Sequence, residues 1–598
     1  MRLHKAVPIA VGLMLALPAF VATTAQTTTQ TATSPAAQAE TPPVATTATR
    51  SDEPPPSASQ ANAPTIHVTT REVVVDVEVT DHAGNPVHGL KQADFTIEEN
   101  GKSQPIRSFR EFGTAIPPPQ HVLPKLPFGV YTNYQSIPAS GPANILLFDA
   151  MHSGLRNIAI SMRYASDYFG TMPKGTQVAI FLLSENGLHM LQGFTSDPAT
   201  LQRAVHNVHI HAGANPDLYT SQRDTINAFN QIAAYVSGVK GRKNLLWFIQ
   251  DMPVCLMRDG GWEWHDCTVD WPGSRSMPLI HRLMDVYERF SAEQVAVSPI
   301  DPRGAVITWK MELEEAKADE VAEQSGGEAF YNNNDLTATI AKAIDHGSQF
   351  YTLSYIPLKQ TDDGHYHHLK VAIIDHPELH LVYRKGYDAE HVPIPGAPAP
   401  GPTKPESPRR VAVDLAFGQL DEPTGPALLM ASLEGKAPAA TQILFDASAW
   451  QIPPAVTEPA ELDPTKPAAK KEKSQTKGLI PCEVNYGFPS SQIAFTDDAD
   501  GMLSASLEFD IIAYNDLREQ VAHQSQTITL HFNHDQYDDF MSKPYRYTLN
   551  LDLPPGPLSI HVGILDNVTS KVGTLEIPLI VRPYKATPPQ RAAAQPPR

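Results

Sequence analysis

The chain alternates between two hydrophobic patterns, and the first of them has a period of two. That period begins at residue 73 and is typical of a half-buried strand. Its two predicted faces are Val73, Val75, Val77 and Val79 on one side, and Val74, Asp76, Glu78 and Thr80 on the other. The following segment, ADFTIEENGKSQPIRSFREF, predicts a hairpin with Asn100 and Gly101 at its tip.

So short a β unit is marginal alone and needs partner strands. Three further strand patterns, FYTLSYIPL, HHLKVAIID and LHLVYRKGY, lie between Phe350 and Tyr387. We therefore predict one β-sandwich assembled from two segments, residues 65–116 and 348–388.

Residues 142–347, between these segments, alternate apolar runs with helical patterns in the order expected of a parallel sheet covered on both faces. The five predicted strand and helix groups are NILLFDA with NIAISMRYASDYF, TQVAIFLLS with ATLQRAVHNV and TINAFNQIAAYV, NLLWFIQD with PLIHRLMDVYERF, VAVSPID with EEAKADEVAEQ, and EAFYN with LTATIAKAID. The pattern predicts a doubly wound α/β domain inserted in the β-sandwich.

A proline-rich linker at 389–409 separates this region from residues 410–582, which predict a second, antiparallel β-sandwich. Its clearest strand alternates Leu503, Ala505, Leu507, Phe509 and Ile511 with polar residues. Residues 26–64, rich in Thr, Ala and Pro, and residues 583–598 have too few large apolar side chains to fold, so we predict them to be disordered. The fold class is thus a multidomain chain with α/β and all-β parts.

The N-terminal residues 1–25 have the pattern of a secretory signal peptide. Arg2 and Lys5 precede an apolar run from Ala6 to Ala22, and small residues follow it. An uncleaved membrane anchor is the alternative, and Pro8 and Pro18 disfavour it. We expect an exported protein, whether periplasmic, on the outer surface or secreted.

The formal net charge of -19 makes a nucleic acid or an anionic membrane an unsuitable partner, because binding to either needs a basic face. A cationic ligand, a divalent metal ion or a protein surface fits this charge better.

Three cysteines do not make a disulfide scaffold. Cys255 and Cys267 lie in one loop and can bridge if their side chains face each other, which leaves Cys482 over.

Three segments together resemble the von Willebrand factor A-related proteins that are abundant in Acidobacteria. They are VVVDVEVTDHAGNPVHGLKQADFTIEENGKSQPIRSF, the insert that begins NILLFDA, and YTLSYIP followed by HHLKVAI and VYRKGYDA. The resemblance covers roughly residues 65–388. It implies a von Willebrand A-like fold for the insert and a metal-ion-dependent adhesion site at one edge of its sheet.

The family motif places an Asp-x-Ser-x-Ser turn after the first strand, a threonine in a second loop and an aspartate after the fourth strand. By that resemblance the metal ligands here are Asp149, Ser153 and Asp251, while Met151 replaces the first serine. The threonine is either Thr220 or Thr225. The implied ion is Mg²⁺, or Mn²⁺ or Ca²⁺, although a thioether is no ligand for a hard cation. The alternative is that Asp149 and Asp251 only cap neighbouring helices and loops.

The loop after NLLWFIQD has the most unusual composition in the chain. It holds Trp262, Trp264 and Trp271, and it follows a strand end where open α/β sheets bind ligands. Exposed tryptophans there would form a preorganised contact surface. The alternative is that they fold back and cover the sheet edge.

Other groups of polar residues predict no site. His206, His209 and His211 lack a zinc-binding frame, so solvent-facing histidines explain them better. His365, His367 and His368 fall on both faces of one strand, so we predict no chemical role for them. TDDADG, at residues 496–501, lacks the distal glutamate of a calcium loop and predicts a polar turn.

The sequence contains no G-x-S-x-G elbow, no phosphate-binding glycine loop and no recognisable cysteine–histidine pair. We therefore expect a non-catalytic, exported adhesion-type protein that recognises a protein or cell-surface ligand through the A-like domain. The alternatives are a structural or assembly component of the cell envelope, and a hydrolase with an unrecognised site.

Overall fold

The computed structural model describes residues 72–113, 126–135, 142–208, 218–253, 277–305, 309–358, 366–388, 425–453, 478–498 and 501–583. The predicted signal peptide and the segments at 26–64 and 389–409 lie outside these ranges, as does almost all of the C-terminal tail. Within the ranges, no helix combines the length and the apolar character needed to cross a membrane.

The strands are β1 Val73–Thr80, β2 Phe95–Glu99, β3 Lys102–Gln104, β4 Ser108–Glu111, β5 Val130–Thr132, β6 Ala143–Asp149, β7 Gln177–Ser184, β8 Gly187–Thr195, β9 Lys243–Phe248, β10 Val295–Ile300, β11 Tyr351–Tyr355, β12 Tyr366–Ile373, β13 His380–Val382, β14 Gly386–Asp388, β15 Asp446–Gln451, β16 Ile480–Pro489, β17 Thr496–Asp497, β18 Leu503–Tyr514, β19 Gln520–Phe532, β20 Pro544–Leu553, β21 Gly556–Asp566 and β22 Lys571–Val581. The helices are α1 Leu155–Phe169, α2 Pro198–His206, α3 Leu218–Val236, α4 Met277–Ala292, α5 Trp309–Ser325, α6 Leu336–Ser348, α7 Gly425–Leu433 and α8 His534–Met541.

The α/β unit runs from β6 to α6 and is built on one sheet with the order β10-β9-β6-β7-β8. Neighbouring strands are parallel except at the edge, where β8 pairs antiparallel with β7. Leu147 of β6 packs in the layer of α3, α4 and α5, whereas Phe148 packs in the layer of α1, α2 and α6. Burial on both faces is the reason that these strands are continuously apolar. The predicted combination of α/β and β-rich parts is confirmed.

Two details of this sheet differ from the prediction. The fifth predicted strand, EAFYN, is wrong, because Phe330 forms only a single parallel bridge with the end of β10. The backbone then turns at Asn332, which has a positive φ of 57°, and Asp335 already caps α6. The sequence reading also missed β8, which follows β7 through a tight turn after Ser184.

The first β-rich unit takes strands from both sides of the α/β unit. β1 pairs with β11 and β13, and β2 pairs with β12, which gives the sheets β13-β1-β11-β4 and β14-β12-β2-β3. The four alternating valines of β1 are buried in the shared core. Asn100 and Gly101 join β2 to β3 with φ values of 49° and 72°, as a two-residue hairpin turn requires.

The second β-rich unit packs two antiparallel sheets around one core. Their orders are β20-β16-β15-β5 and β17-β18-β21-β22, and β19 pairs with β18. The apolar face of β18 is buried from Ala505 to Ile511, as predicted. β5 was not predicted, and it comes from the segment that precedes the α/β unit, yet it pairs with β15.

The α/β unit contacts both β-rich units. Thr441, which precedes β15, donates its backbone N–H to the carbonyl oxygen of Ala234 in α3 at 2.9 Å. Ala234 also lies in an apolar cluster with Leu429 and Leu433 of α7. These contacts hold the end of α3 against the second β-rich unit.

Glu78 departs from the predicted alternation of β1, because it is buried although it lies on the predicted polar face. Its carboxylate accepts a hydrogen bond from the guanidinium of Arg242, which lies just before β9 and also donates to the carbonyl oxygen of Gly326 at 3.0 Å. Burial raises the pKa of Glu78, against the opposing effect of the Arg242 charge. A buried ion pair therefore joins the first β-rich unit to the α/β unit.

We predict that Arg242→Met lowers the free energy of unfolding by about 3–5 kcal/mol at neutral pH, because it leaves the Glu78 charge buried and unpaired. The folded-state pKa of Glu78 lies above its ordinary value of 4.5. Stability in the variant is therefore recovered as the pH falls toward that value and the carboxyl takes up a proton. Urea unfolding of native protein and variant at several pH values measures the difference.

The control is Arg242→Met combined with Glu78→Gln, whose loss relative to the native protein should depend much less on pH. Glu328 and His346 also act on Glu78, and the Glu78 charge in turn raises the pKa of His346, so the double variant removes that coupling as well. An equal loss for Arg242→Met at pH 5 and pH 8 would contradict the assignment.

Candidate functional site

The ends of β6 and β9 lie side by side at the C-terminal edge of the central sheet. The chain leaves β6 for α1 in one layer and leaves β9 for α4 in the opposite layer. Open α/β sheets bind ligands in the crevice that forms where the connections of neighbouring strands diverge in this way. Asp149 ends β6 here, while Gln250 and Asp251 follow β9.

Asp149 is fully buried, and its carboxylate accepts four N–H groups. Oδ1 accepts the backbone N–H groups of Met151 and His152, both at 3.0 Å. Oδ2 accepts the indole Nε1–H of Trp247 in β9 at 3.0 Å and the imidazole Nδ1–H of His152 at 2.8 Å. An ionised carboxylate offers about four acceptor positions, so the protein itself fills those of Asp149.

His152 extends this network to α3. Because Asp149 is an acceptor, Nδ1 of the imidazole carries the proton and Nε2 accepts the hydroxyl hydrogen of Ser221. The side chain of His152 is 7% exposed and Ser221 is 5% exposed, so the contact is shielded from water. The three side chains form the continuous arrangement carboxylate, imidazole, hydroxyl.

The loops after β6 and β9 are joined directly. Asp251 donates its backbone N–H to the carbonyl oxygen of His152 at 3.0 Å. The side-chain amide oxygen of Gln250 accepts from Asn157 Nδ2 at 2.7 Å. The backbone N–H of Met252 donates to the carboxylate of Glu314 in α5 at 2.5 Å, which anchors the segment after β9 to that helix. The backbone after β6 and β9 is thus held in place by hydrogen bonds as far as Met252.

The predicted metal ligands lie at this edge of the sheet, but they differ in their burial and their hydrogen bonds. Asp149 is engaged as described, and Ser153 is buried with an Oγ that has no hydrogen-bond partner. Asp251 is half-buried and accepts from Gln250 Nε2 at 3.3 Å. Thr220 lies in the first turn of α3, beside Ser221. A cation at Asp149 would have to displace one of four N–H donors, and the metal assignment stays a prediction.

Sequence reasoning passed over His152 and Ser221, the two residues that complete the network. They are 69 positions apart and belong to no known spacing motif. Only His152 could have been predicted from the sequence, because a histidine three residues after an aspartate at a strand end can form a hydrogen bond with that carboxylate. Ser221 carried no signal of its own, although its neighbour Thr220 had been singled out.

Several predicted features lie outside the described residues, namely Trp262, Trp264, Trp271, Cys255, Cys267, His209, His211 and His365. Cys482 is buried in β16 as a free thiol, and burial raises its pKa to about 11, so it is a poor nucleophile. His206 bonds the Gln202 carbonyl oxygen within α2 at 2.6 Å. His367 is buried and His368 is exposed, as the alternation of their strand predicts.

A second group of ligand-type side chains lies where the first β-rich unit meets the α/β unit. Glu78, Glu328 and His346 hold their ligand atoms within 4.8 Å of one another, so this group can hold a metal ion. Arg242 and Lys342, however, already pair with the two carboxylates. Burial lowers the pKa of His346, but its hydrogen bond to Glu328 and the negative charge of that carboxylate together outweigh burial and raise the pKa. Two cations therefore already balance the two carboxylates, and a metal ion would have to displace them.

No protein-family model and no curated protein matches this chain. Among solved structures it is similar to proximal thread matrix protein 1 from the mussel byssus, with 13% identity and a TM-score of 0.23, over 34% of this chain and 47% of that one. The chain thus spans about half of the mussel protein. It is also similar to the SpRpn10 VWA domain, with 10% identity and a TM-score of 0.23, over 35% of this chain and 98% of that one. The structural neighbours therefore include a VWA domain, and the similarity is weak.

We predict that Asp149→Ala lowers the free energy of unfolding by about 3 kcal/mol or more. The change leaves the buried N–H groups of Trp247 and His152 without an acceptor, at about 1–3 kcal/mol each. Thermal and urea unfolding, each with Mg²⁺ and with a chelator, measure the loss. The matched control is Ser153→Ala, which removes a hydroxyl without a partner and should change stability by less than about 1 kcal/mol. A loss for Asp149→Ala that disappears in chelator would instead point to a bound cation.

Proposed function

We propose that this chain is an exported binding protein that recognises a protein or cell-surface ligand at the C-terminal edge of a von Willebrand A-like unit. The observation that carries the proposal is the switch point between β6 and β9, where open α/β sheets form a ligand-binding crevice. Its two edges are held by buried hydrogen bonds, and the connections on either side diverge. Preorganised loops at such a switch point bind ligands with little loss of conformational entropy.

The negative charge of the chain favours a protein partner with basic groups, or a surface that carries cationic groups. Residues 254–276 follow β9 in the sequence and contain Trp262, Trp264 and Trp271. Aromatic side chains at the centre of an interface supply a large share of its affinity. We assign ligand contact to these tryptophans.

The proposed binding has a metal-dependent and a metal-free version. In the first, a divalent cation binds Asp149, Ser153 and Asp251, with Thr220 as a further ligand, and completes its shell with an acidic group of the ligand. In the second, the tryptophan loop binds alone and Asp149 only orders the crevice. The four N–H donors on Asp149 favour the metal-free version.

A structural or assembly role in the cell envelope is a second candidate. The Glu78–Arg242 pair and the contacts of Thr441 favour it, because they tie the α/β unit to both β-rich units rather than leaving it on flexible linkers. A purely structural protein would not need the crevice residues for partner capture, which separates the two candidates.

The two versions differ in their response to divalent cations. We expect calorimetric titration of the native protein with Mg²⁺, Mn²⁺ or Ca²⁺ to give no saturable heat, because the Asp149 carboxylate is already occupied. Ser153→Ala tests the crevice without the instability of Asp149→Ala, and Glu328→Gln tests the second group of ligands. Saturable heat that Ser153→Ala removes and Glu328→Gln preserves would establish the metal-dependent version.

We expect Trp262→Ala combined with Trp264→Ala to reduce capture of a partner from a cell-envelope extract at least tenfold, which corresponds to about 1.4 kcal/mol of binding free energy. The matched control is Trp450→Ala, since Trp450 is a partly exposed tryptophan of the second β-rich unit, far along the chain from the crevice. Quantitative pull-down with and without chelator measures capture. If the native protein and the double variant capture equal amounts of partner, Trp262 and Trp264 do not contribute to binding.

A further inference from the structure

One hydrogen-bonded group of side chains has no role in the proposed binding function. Asp149 Oδ2, His152 and Ser221 Oγ are linked in the order acceptor, imidazole, hydroxyl, and each imidazole nitrogen bonds a different partner. Asp149 is held in place by three further N–H groups, so the orientation of the imidazole is fixed rather than incidental. This is the relation of orienting acid, general base and nucleophile that activates a serine hydroxyl, whatever the fold.

We propose that Ser221 is a nucleophile for acyl transfer, with His152 as its general base and Asp149 as the residue that positions the imidazole. The substrate class is a small acyl ester. This activity goes beyond ligand recognition, and it departs from our expectation from the sequence of a non-catalytic protein.

In the first half-reaction, Ser221 Oγ bonds to the acyl carbon while its proton passes to His152 Nε2. The bond from that carbon to the ester oxygen then breaks, and the departing alcohol takes the proton from Nε2. In the second half-reaction a water molecule attacks the acyl-serine and gives a proton to Nε2. That proton returns to Ser221 Oγ as the carboxylic acid leaves. Asp149 keeps its charge and accepts the Nδ1 hydrogen throughout.

Three observations bear on the proposed reaction. Ser153 lies next to His152 in the chain, and its Oγ is a buried hydroxyl with no partner, so we assign it as the candidate donor to a developing oxyanion. Ser221 is only 5% exposed, so little of its hydroxyl is open to solvent, and we limit the proposed substrate to small acyl groups for that reason. Ser221 also lies in the first turn of α3, where the helix dipole favours developing negative charge.

The second β-rich unit contains a serine, histidine and aspartate group that serves as a comparison. Ser504 Oγ contacts both His531 Nδ1, at 2.8 Å, and the carboxylate of Asp498. There the acid meets the hydroxyl directly, and the carboxylate of Asp498 approaches the same imidazole nitrogen, Nδ1 of His531, at 3.5 Å. The side chain of His531 is also 51% exposed. This order does not orient a base, so Ser504 is the matched control residue.

The test is covalent labelling of the full-length chain with a small alkyl fluorophosphonate, followed by intact-mass and peptide analysis. The probe phosphonylates an activated serine with loss of fluoride, and we expect one adduct on Ser221. Ser221→Ala should abolish it, His152→Gln should slow it at least about 100-fold, and Ser504→Ala should leave it unchanged. Thermal unfolding of each variant checks that it is folded.

A second variant measures base activation without the phosphonate chemistry. Ser221→Cys places a thiol against His152 Nε2, and we expect it to react with iodoacetamide at least tenfold faster than the same thiol in the His152→Gln background. Absence of an adduct on Ser221 in the native protein, or equal alkylation rates in the two backgrounds, would overturn the proposal and leave the network a purely structural one.

Discussion

The buried carboxylate of Asp149 is the interaction on which the arrangement of the α/β unit edge depends. A charge in this position is tolerated only because four N–H groups surround it, and those donors come from its own loop and from the neighbouring strand β9. Through His152 the same carboxylate also fixes the start of α3. One side chain therefore determines how two strand ends and a helix meet, and any ligand at the edge encounters a surface that Asp149 has ordered.

Much of the fold followed from hydrophobic periodicity, because burial imposes it directly. Continuous apolar runs marked the strands of the central sheet, and alternation marked β1 and β18. Hydrophobic periodicity gave a wrong prediction of burial where another part of the protein, rather than solvent, covers the polar face of a strand. Glu78 reads as an outward residue of β1, yet the α/β unit covers it and Arg242 balances its charge. β5 was missed because three residues are too short for any period to be detected.

The candidate site was only partly predictable for a different reason. A strand-end aspartate locates the edge of an open sheet, and the position of Asp149 followed from that rule. Its chemical role did not follow, because the role depends on which donors reach it in three dimensions. Met151 lacks a useful oxygen, and the residue after it, His152, supplies the imidazole that occupies the carboxylate. The resemblance to a metal-binding motif implies oxygen ligands around a metal ion, whereas the groups that contact the Asp149 carboxylate in the structure are nitrogen donors.

The pairing of β5 with β15 constrains how the chain can be made and divided. Thr132 donates its hydroxyl hydrogen to the carbonyl oxygen of Phe445, across 313 positions of sequence. At about 5–20 residues per second, synthesis of the intervening chain takes roughly 15–60 s, during which this strand has no partner. The second β-rich unit is therefore completed by segments from both sides of the α/β unit. Its sheet is not a separable module that recombination could move intact between proteins.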